Sequence, residues 1–452
     1  MMLSSTNAKA KGNISSVFAH LGASTTKLDP RFVTLKKDIC KTTDVLQASY
    51  DRLISKFEEE KKEIQAKGSS VIPEIHINDI KNNGGRLPDA VAALVKKRGC
   101  LVVRGLLDRT VAMQYKADIK QYIDNNRDVM VGYPQDQPQV WELYWTKAQA
   151  AARAHPHFDI ATLAINQLWH GHPDTPIDLS KNLTYCDRLR IRVPGDENFA
   201  LAEHVDGGSL ERWEDPEYRK CYEEIFKGHW ENFDPFDVTH RIEAEMDLYD
   251  APGGCSMFRL FQGWVSLSDI TPGGGTLRVC PLIKEQTAYY MMKPLLEDHK
   301  DQADFMGAWP GRCQDISATH HRPIIDTMVS LPTMQYGDGV FWHCDQVHAV
   351  EPKNEMKTED SSVLYIPSTP MCRRNTEYLK RQRACFLAGI TPPDFPGNNT
   401  EQHINERATP ESLDTKQKIG MGLLPFSSSS LDDNSTPGQR QALKQHNDIL
   451  GF

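Results

Sequence analysis

Residues 336–350, YGDGVFWHCDQVHAV, combine a glycine-rich turn, an aromatic-rich strand and a histidine within a further apolar strand. The triplet Gly337-Asp338-Gly339 predicts the turn, because these residue types tolerate the backbone conformations that tight turns need. The stretch therefore predicts β structure and places two histidines, His343 and His348, in or beside its strands.

Similar short β-rich segments recur through the middle of the chain, divided by Gly, Pro and Asp. Many short strands with turn signals between them favour a sandwich or barrel over a doubly wound sheet. The predicted strands are Tyr185–Val193, Leu201–Val205, Cys255–Leu267, Thr276–Cys280, Val340–His343 and Ser362–Ile366.

Helical patterns flank this region on both sides. The pattern of residues Leu87 to Arg98 predicts an amphipathic helix that ends at Gly99, and a β-rich run follows it directly. We therefore expect four parts along the chain. They are a mobile segment 1–28, a helical region 29–98 packed on the core, a core 99–395 with insertions at about 210–245 and 285–335, and a mostly irregular tail 396–452 with a short terminal helix.

The composition is that of an acidic globular chain. Of 452 residues, 39% are apolar and 25% are charged, and the formal net charge is −9. This balance gives no reason to expect a nucleic acid or an anionic membrane as a partner. The sequence has no apolar run of membrane-spanning length, no secretory signal and no CxxC pair among its ten cysteines. We expect a reduced, cytoplasmic protein that acts on a small molecule.

The segment EHVDGG, residues 203–208, is the second informative stretch. Alternate side chains of a strand share a face, so His204 and Asp206 point the same way and can hold a metal ion from one side. A third ligand would complete a set of two histidines and one carboxylate. That set leaves adjacent coordination positions open, as oxygen activation on iron(II) requires.

Together the two stretches resemble the non-haem iron(II) and 2-oxoglutarate-dependent oxygenases, in which HxD is followed much later by a Gly-Asp turn and a histidine ten residues past the Asp. Residues 264–269 (WVSLSD) and 273–281 (GGGTLRVCP) are similar to the phytanoyl-hydroxylase-like branch. The closest resemblance is to a bacterial and fungal family of oxygenase-like proteins of unknown function. It runs from about Gly99 to Phe395 and includes SVLYIP at 362–367 and PDFP at 393–396.

The resemblance implies an α+β chain with a double-stranded β-helix (jelly roll) core, flanking helices and long loop insertions. It implies that His204, Asp206 and His348 are the catalytic iron(II) ligands. His348 is assigned by its spacing from Asp338, and His343 is the alternative. The implied reaction uses 2-oxoglutarate and molecular oxygen and releases succinate and CO2.

The cation for the distal carboxylate of 2-oxoglutarate is the point at which this chain departs from the related families. They usually carry an arginine on the strand after the distal histidine, where its planar fork bonds both carboxylate oxygens. Here that strand, residues 361–366 (SSVLYI), has no arginine or lysine. The substitutes that we consider are Thr276 with Arg278, Arg190, Arg192 and Arg259.

The charged loops favour a small polar metabolite, such as an amino acid or a secondary-metabolite precursor, that would be hydroxylated, desaturated or cyclised. Glu211, Arg212 and Trp213, just beyond the HxD strand, are candidate substrate contacts. Two other classes stay open. One is a metal-binding cupin-type isomerase or hydrolase, and the other is a non-enzymatic jelly-roll binding protein.

Overall fold

The computed structural model describes residues 27–251, 254–395, 397, 400–427 and 431–452. Our expectation of a mobile segment 1–28 therefore lies outside the described residues except at Lys27 and Leu28. The described chain is a mixed α+β fold, which confirms the predicted class. Its α-helices are α1 Arg31–Ile39, α2 Thr43–Lys67, α3 Ile77–Asn82, α4 Asp89–Arg98, α5 Arg109–Asn125, α6 Lys147–Arg153, α7 Pro156–Asn166, α8 Glu211–Glu214, α9 Pro216–Lys220, α10 Glu223–Phe226, α11 Ile283–Met292, α12 Arg322–Ile325, α13 Arg373–Ala388, α14 Thr415–Gly420 and α15 Pro437–Leu450.

The strands form an eight-stranded, a five-stranded and a two-stranded sheet. The strands are β1 Glu74–His76, β2 Cys100–Arg104, β3 Gly132–Tyr133, β4 Val140–Trp141, β5 Ile177–Asn182, β6 Leu189–Arg192, β7 Leu201–Val205, β8 Phe261–Ser266, β9 Leu277–Val279, β10 Gln314–Asp315, β11 Val329–Ser330, β12 Gly339–His343, β13 His348–Val350, β14 Ser361–Tyr365 and β15 Pro370–Cys372. The sheet orders are β1-β2-β12-β8-β14-β6-β4-β3, β10-β7-β13-β9-β11 and β15-β5. Only the β1–β2 pair among these described strands is parallel.

Strand β2 shows how the largest sheet is buried. Its side chains at Cys100 and Val102 join an apolar cluster with residues of the five-stranded sheet, whereas Leu101 and Val103 join a second cluster with helices α5 and α7. Successive side chains of a strand point to opposite faces, so a continuous apolar run indicates burial on both. The eight-stranded sheet is therefore a central layer, with helices α5 and α7 on one face and the five-stranded sheet on the other.

The turn before β12 needs its glycine. Gly337 has a φ of +88°, and a Cβ on it would lie 2.1 Å from the carbonyl oxygen of Leu107. Both facts exclude an ordinary side chain at this position. Asp338 accepts a hydrogen bond from the backbone N–H of Gly105 at 2.9 Å, which ties the turn to the end of β2. The predicted turn is thus present and fixes where β12 begins.

The helix predicted at Leu87–Arg98 is present as α4, and it ends where glycine was expected to end it. Gly99 adopts the left-handed conformation, with a φ of +74°, and its N–H donates to the carbonyl oxygen of Val95. A residue with a Cβ is strained there, so the chain leaves the helix and enters β2. No described helix has both the length and the apolar composition to cross a membrane.

Predicted strands and observed strands differ mainly in length. Leu201–Val205 is observed with the same bounds as β7. The segment Tyr185–Val193 forms a strand only at Leu189–Arg192, because residues 183–188 leave the large sheet and pack in a third apolar cluster with α13 and α15. The expected insertion at about 210–245 contains the short helices α8, α9 and α10.

Candidate metal centre

Strands β7 and β13 carry the two histidines of the predicted site. They pair antiparallel with His204 directly opposite His348, and the ring centroids are 4.3 Å apart. Asp206 follows the last residue of β7. One ring nitrogen of each histidine and one carboxylate oxygen of Asp206 all lie within 4.8 Å of one another. The structure thus brings together the three residues that the sequence proposed as ligands.

The hydrogen bonds of the two rings leave the correct nitrogens free. Nδ1 of His204 lies 2.6 Å from the carbonyl oxygen of Ala202, and Nδ1 of His348 lies 2.9 Å from that of Gln346. Because a carbonyl oxygen only accepts, each Nδ1 carries a hydrogen and donates it, so Nε2 is the nitrogen of each ring that a metal ion can bind. Nε2 of His204 lies 3.3 Å from Oδ1 of Asp206, the third group of the cluster. Metal-bound histidines are usually oriented by such a bond. The residues present therefore fit a divalent metal ion.

The protonation states also suit metal binding. Burial and the nearby His204 lower the pKa of His348 to about 4, so its imidazole is neutral near pH 7. Burial opposes ionisation of Asp206, but its hydrogen bond with His204 and the charge of Arg259 hold its pKa well below the ordinary value. Burial lowers the pKa of His204, and the bond to Asp206 outweighs this and raises it. A metal ion would displace that proton from His204.

The three groups open into a cavity of about 220 Å³ between the two larger sheets. One face of each sheet contributes to the lining, and loops close the sides. The lining strand residues include Val140, Arg190, Gln262, Trp264, Trp342 and Tyr365 of the eight-stranded sheet, and Leu201, His204, Leu277, His348 and Val350 of the five-stranded sheet. A metal held at one wall would face this enclosed space.

Two of the arginines proposed for 2-oxoglutarate line the cavity. Arg190 on β6 is buried, and its Nη2 donates to the carbonyl oxygen of Gly275 at 3.2 Å and to the hydroxyl of Ser361 at 3.3 Å. Its Nε has no hydrogen-bond partner among the described residues. Arg259 lies beside the predicted metal ligands, with its Nη2 3.6 Å from Oδ2 of Asp206.

The remaining candidates lie outside the cavity lining. The guanidinium of Arg192 donates to the carboxylate of Asp196 at 2.8 Å and to the carbonyl oxygens of Glu351 and Pro352. Arg278 forms an ion pair with Glu203 at 2.9 Å. Thr276 is buried near the start of β9 and does not reach the cavity. The structure therefore places these three side chains away from the cavity.

His343, the alternative ligand, is enclosed elsewhere. Its ring stacks on Trp169 at 4.7 Å between centroids, its Nε2 lies 2.9 Å from the carbonyl oxygen of Pro235, and its Nδ1 accepts from the backbone N–H of Asp345. Both ring nitrogens are used. His343, Cys344 and Asp345 form a second group of potential ligands, but Asp345 is already held by Arg241 at 2.7 Å.

Of the three candidate substrate contacts beyond β7, none lines the cavity. Arg212 and Trp213 are at most 1% exposed, and Trp213 donates its indole N–H to the carbonyl oxygen of Met291. Burial raises the pKa of Glu211 to about 8. The structure therefore does not bring the three expected substrate contacts to the cavity.

Sequence reasoning missed several polar residues that the cavity exposes. Gln262 on β8 and Trp342 on β12 are cross-strand neighbours. Neither Nε2 of Gln262 nor Nε1 of Trp342 has a hydrogen-bond partner among the described residues. Arg188 and Tyr365 also line the space. A signal was available at Gln262, which is a polar residue between Phe261 and Gly263 in the strand FQGWVS and shares a face with Trp264 two positions later.

The fold and the site define an α+β protein with a two-histidine, one-carboxylate cluster on the wall of a cavity between two sheets. The chain belongs to the Gig2-like family, whose sequence profile matches residues 26–423.

Several relatives are similar over most of their length. Uncharacterized protein YbiU of Escherichia coli (strain K12) is 34% identical over 372 residues, which are 80% of this chain and 87% of that protein. The structure of GIG2 from Candida albicans has a TM-score of 0.85 at 31% identity, over 95% of this chain and 96% of that one. A candidate oxidoreductase from Salmonella typhimurium LT2 has a TM-score of 0.80 at 32% identity, over 88% and 99%. A much weaker likeness, with a TM-score of 0.37 at 13% identity, extends to the non-heme alpha ketoglutarate dependent carbocyclase SnoK.

Proposed function

We propose that this chain is an iron(II)- and 2-oxoglutarate-dependent oxygenase in which His204, Asp206 and His348 hold the metal. The observation that carries the proposal is the convergence of ligand atoms of these three side chains within 4.8 Å at the wall of a cavity. The backbone bonds of the two rings use the Nδ1 atoms and so leave the Nε2 atoms for the metal ion. Two histidines and one carboxylate are the donor set of the non-haem iron(II) oxygenases.

We also propose that the two larger sheets are the halves of a double-stranded β-helix. Antiparallel strands from both halves surround the cavity, as a jelly-roll core requires. The division into a helical region 29–98, a core 99–395 and a tail 396–452 belongs to the same proposal.

The chemistry follows from the class. When bound together, iron(II) and 2-oxoglutarate supply the oxidation of a C–H bond by molecular oxygen, with release of succinate and CO2. The residues of this chain hold the metal, exclude water and orient the substrate. Hydroxylation, desaturation and cyclisation are all compatible with such a site.

Arg190 is the residue that we propose for the distal carboxylate of 2-oxoglutarate. Arg190 pairs with Val363 of β14, so the two side chains lie on the same face of the sheet. Strand β14 is the strand on which the related families usually carry their arginine. The guanidinium of Arg190 has only neutral hydrogen-bond partners, and no carboxylate of the described residues lies within ion-pair distance. A buried cation without a counter-charge is unfavourable, and a bound carboxylate would compensate it.

The rest of the cavity suits a small polar substrate. Its wall near the ligands presents Arg259 and Arg312 as well as the carboxylate of Asp247. The four arginines that line the cavity favour the oxygenase over a cupin-type isomerase or hydrolase, which has no co-substrate carboxylate to bind. The cavity also presents polar atoms without a hydrogen-bond partner among the described residues, on Arg190, Gln262 and Trp342. These atoms favour an enzyme over a binding protein whose histidines only pack.

The test is succinate release from 2-oxoglutarate by the purified chain supplied with iron(II) and air, without any further substrate. We expect slow succinate formation by the wild type and background rates for His204→Ala, Asp206→Ala and His348→Ala. Unfolding curves of the variants show whether each is folded. Failure of the wild type to form succinate above the protein-free rate would argue against the proposed function.

A further inference from the structure

The three proposed ligands are not held in the same way. His204 and His348 lie on paired strands, where the hydrogen bonds of the ladder fix their backbones relative to each other. Asp206 lies one residue beyond β7, in a segment outside the ladder. Its carboxylate must nevertheless meet the two rings, so its backbone needs another constraint.

Arg212 supplies that constraint. It lies on α8, its side chain is 1% exposed, and it points back under the loop that follows β7. Nη1 donates to the carbonyl oxygen of Gly208 at 2.6 Å, and Nη2 donates to the carbonyl oxygen of Asp206 at 3.0 Å. The planar fork of an arginine holds two such acceptors in a fixed relative geometry, which the single nitrogen of a lysine on its flexible stem does not reproduce.

The same guanidinium reaches the segment that precedes the other ligand strand. Nη2 of Arg212 lies 3.4 Å from Oδ1 of Asp345, three residues before His348. Asp345 is fully buried and also accepts from Nη2 of Arg241 at 2.7 Å and from the hydroxyl of Tyr222 at 3.0 Å. Asp345 is therefore fixed from several sides and can anchor Arg212.

The segment between Asp345 and His348 is equally constrained. The amide of Gln286 donates to the carbonyl oxygen of Asp345 at 3.1 Å and accepts from the backbone N–H of Val347 at 3.1 Å. The carbonyl oxygen of Gln346 then accepts from Nδ1 of His348. A continuous set of buried contacts thus runs from the carbonyl of Asp206, through Arg212, to the ring of His348.

We propose that Arg212 is a positioning residue, which sets the carboxylate of Asp206 against the strand-borne histidines by tying the loop after β7 to Asp345. The inference rests on the proposed metal centre. Arg212 touches neither the cavity nor the metal position, so its effect is on metal affinity through the backbone of Asp206.

Arg241 provides the matched control. Both guanidiniums are buried, and both pair with the carboxylate of Asp345. The other contacts of Arg241 are with Cys344, Trp169 and Tyr222, and none is with the loop that carries Asp206. Removing either cation removes one partner of Asp345, but only removal of Arg212 releases the carbonyl of Asp206.

The experiment compares Arg212→Met with Arg241→Met. The metal-free chains are dialysed anaerobically against graded iron(II), and their unfolding in urea is followed separately. We expect both variants to be destabilised, and only Arg212→Met to bind iron(II) about 10- to 100-fold more weakly than the wild type, as is usual when support of a metal ligand is lost. If the Met variants do not fold, Arg212→Lys and Arg241→Lys are compared instead, with the same order expected.

Two outcomes would overturn the inference while leaving the proposed function intact. They are wild-type iron affinity in the Arg212 variant and equal losses of affinity in the two variants. A wild type that binds no iron(II) under these conditions would overturn the metal centre itself, and the inference with it.

Discussion

Two buried clusters of this protein each offer three potential metal ligands, and they differ in what their polar atoms already do. In the cluster of His204, Asp206 and His348, the backbone carbonyls take both Nδ1 atoms, and Nε2 of His204 contacts the carboxylate of Asp206 within the cluster. All three residues line a cavity. In the cluster around Asp345, the carboxylate is bound by two arginines and a tyrosine, and both nitrogens of His343 are used. Potential metal-ligand atoms that face a cavity indicate a ligand site, whereas groups whose hydrogen bonds and ion pairs are all formed within the protein indicate structural support.

The same distinction separates two arginines that are two residues apart on β6. Arg190→Met should raise the 2-oxoglutarate concentration for half-maximal succinate release on the order of 100-fold, because a buried charge pair worth about 3 kcal/mol is lost. Arg192→Met should leave that concentration unchanged and destabilise the fold by about 3–5 kcal/mol, because Asp196 loses its buried partner. Succinate assays and urea unfolding measure the two effects.

Arg259→Met is the control for this assignment. Its guanidinium also lines the cavity, but it lies against Asp206. Should Arg259→Met lose affinity for 2-oxoglutarate while Arg190→Met keeps it, the anchor would be Arg259 and the contrast along β6 would have no functional meaning.

A smaller effect is expected from a buried acid that has no cation. Glu401 accepts from the backbone N–H groups of Tyr144 and Trp145 and from the hydroxyl of Tyr122, and burial raises its pKa from 4.5 to about 7. Because the pKa of Glu401 is higher in the folded than in the unfolded chain, the stability that its protonated form contributes is fully present below pH 4.5. That contribution is lost as pH rises through 7. At Asp345, by contrast, burial is outweighed by the arginines, which hold the pKa below its ordinary value.

Glu401→Gln removes that titration. Between pH 4.5 and 7 the wild type should therefore lose up to about 3 kcal/mol of unfolding free energy relative to the variant, with no further relative change above pH 7. Urea unfolding at several pH values checks this. Parallel profiles for the two proteins would show that Glu401 is ionised in the folded chain throughout the range.

The sequence predicted the parts of this molecule that depend on neighbouring residues. The bounds of β7, the turn at Gly337 and the end of α4 at Gly99 all follow from local chemistry, and each is observed. The α+β class was implied by the family resemblance, whereas the number and spacing of the short strands favoured a sandwich or barrel over a doubly wound sheet.

What could not be predicted depends on long-range register. Arg190 and Arg192 share a face of β6, and only the folded chain shows that Asp196, Glu351 and Pro352 occupy the second guanidinium. Likewise, His343 and His348 both lie in buried strands. Their roles separate only because β13 pairs with β7, whereas β12 pairs with β2 and β8.

The most direct test of the central claim is an anaerobic titration of the metal-free chain with iron(II) and then 2-oxoglutarate, followed by the visible charge-transfer absorption of the chelate. We predict a band that saturates at one iron per chain, is retained in His343→Ala and is absent in His348→Ala. A wild type without the band, or a band that survives in His348→Ala and is lost in His343→Ala, would contradict the assignment of His204, Asp206 and His348 to a single metal ion.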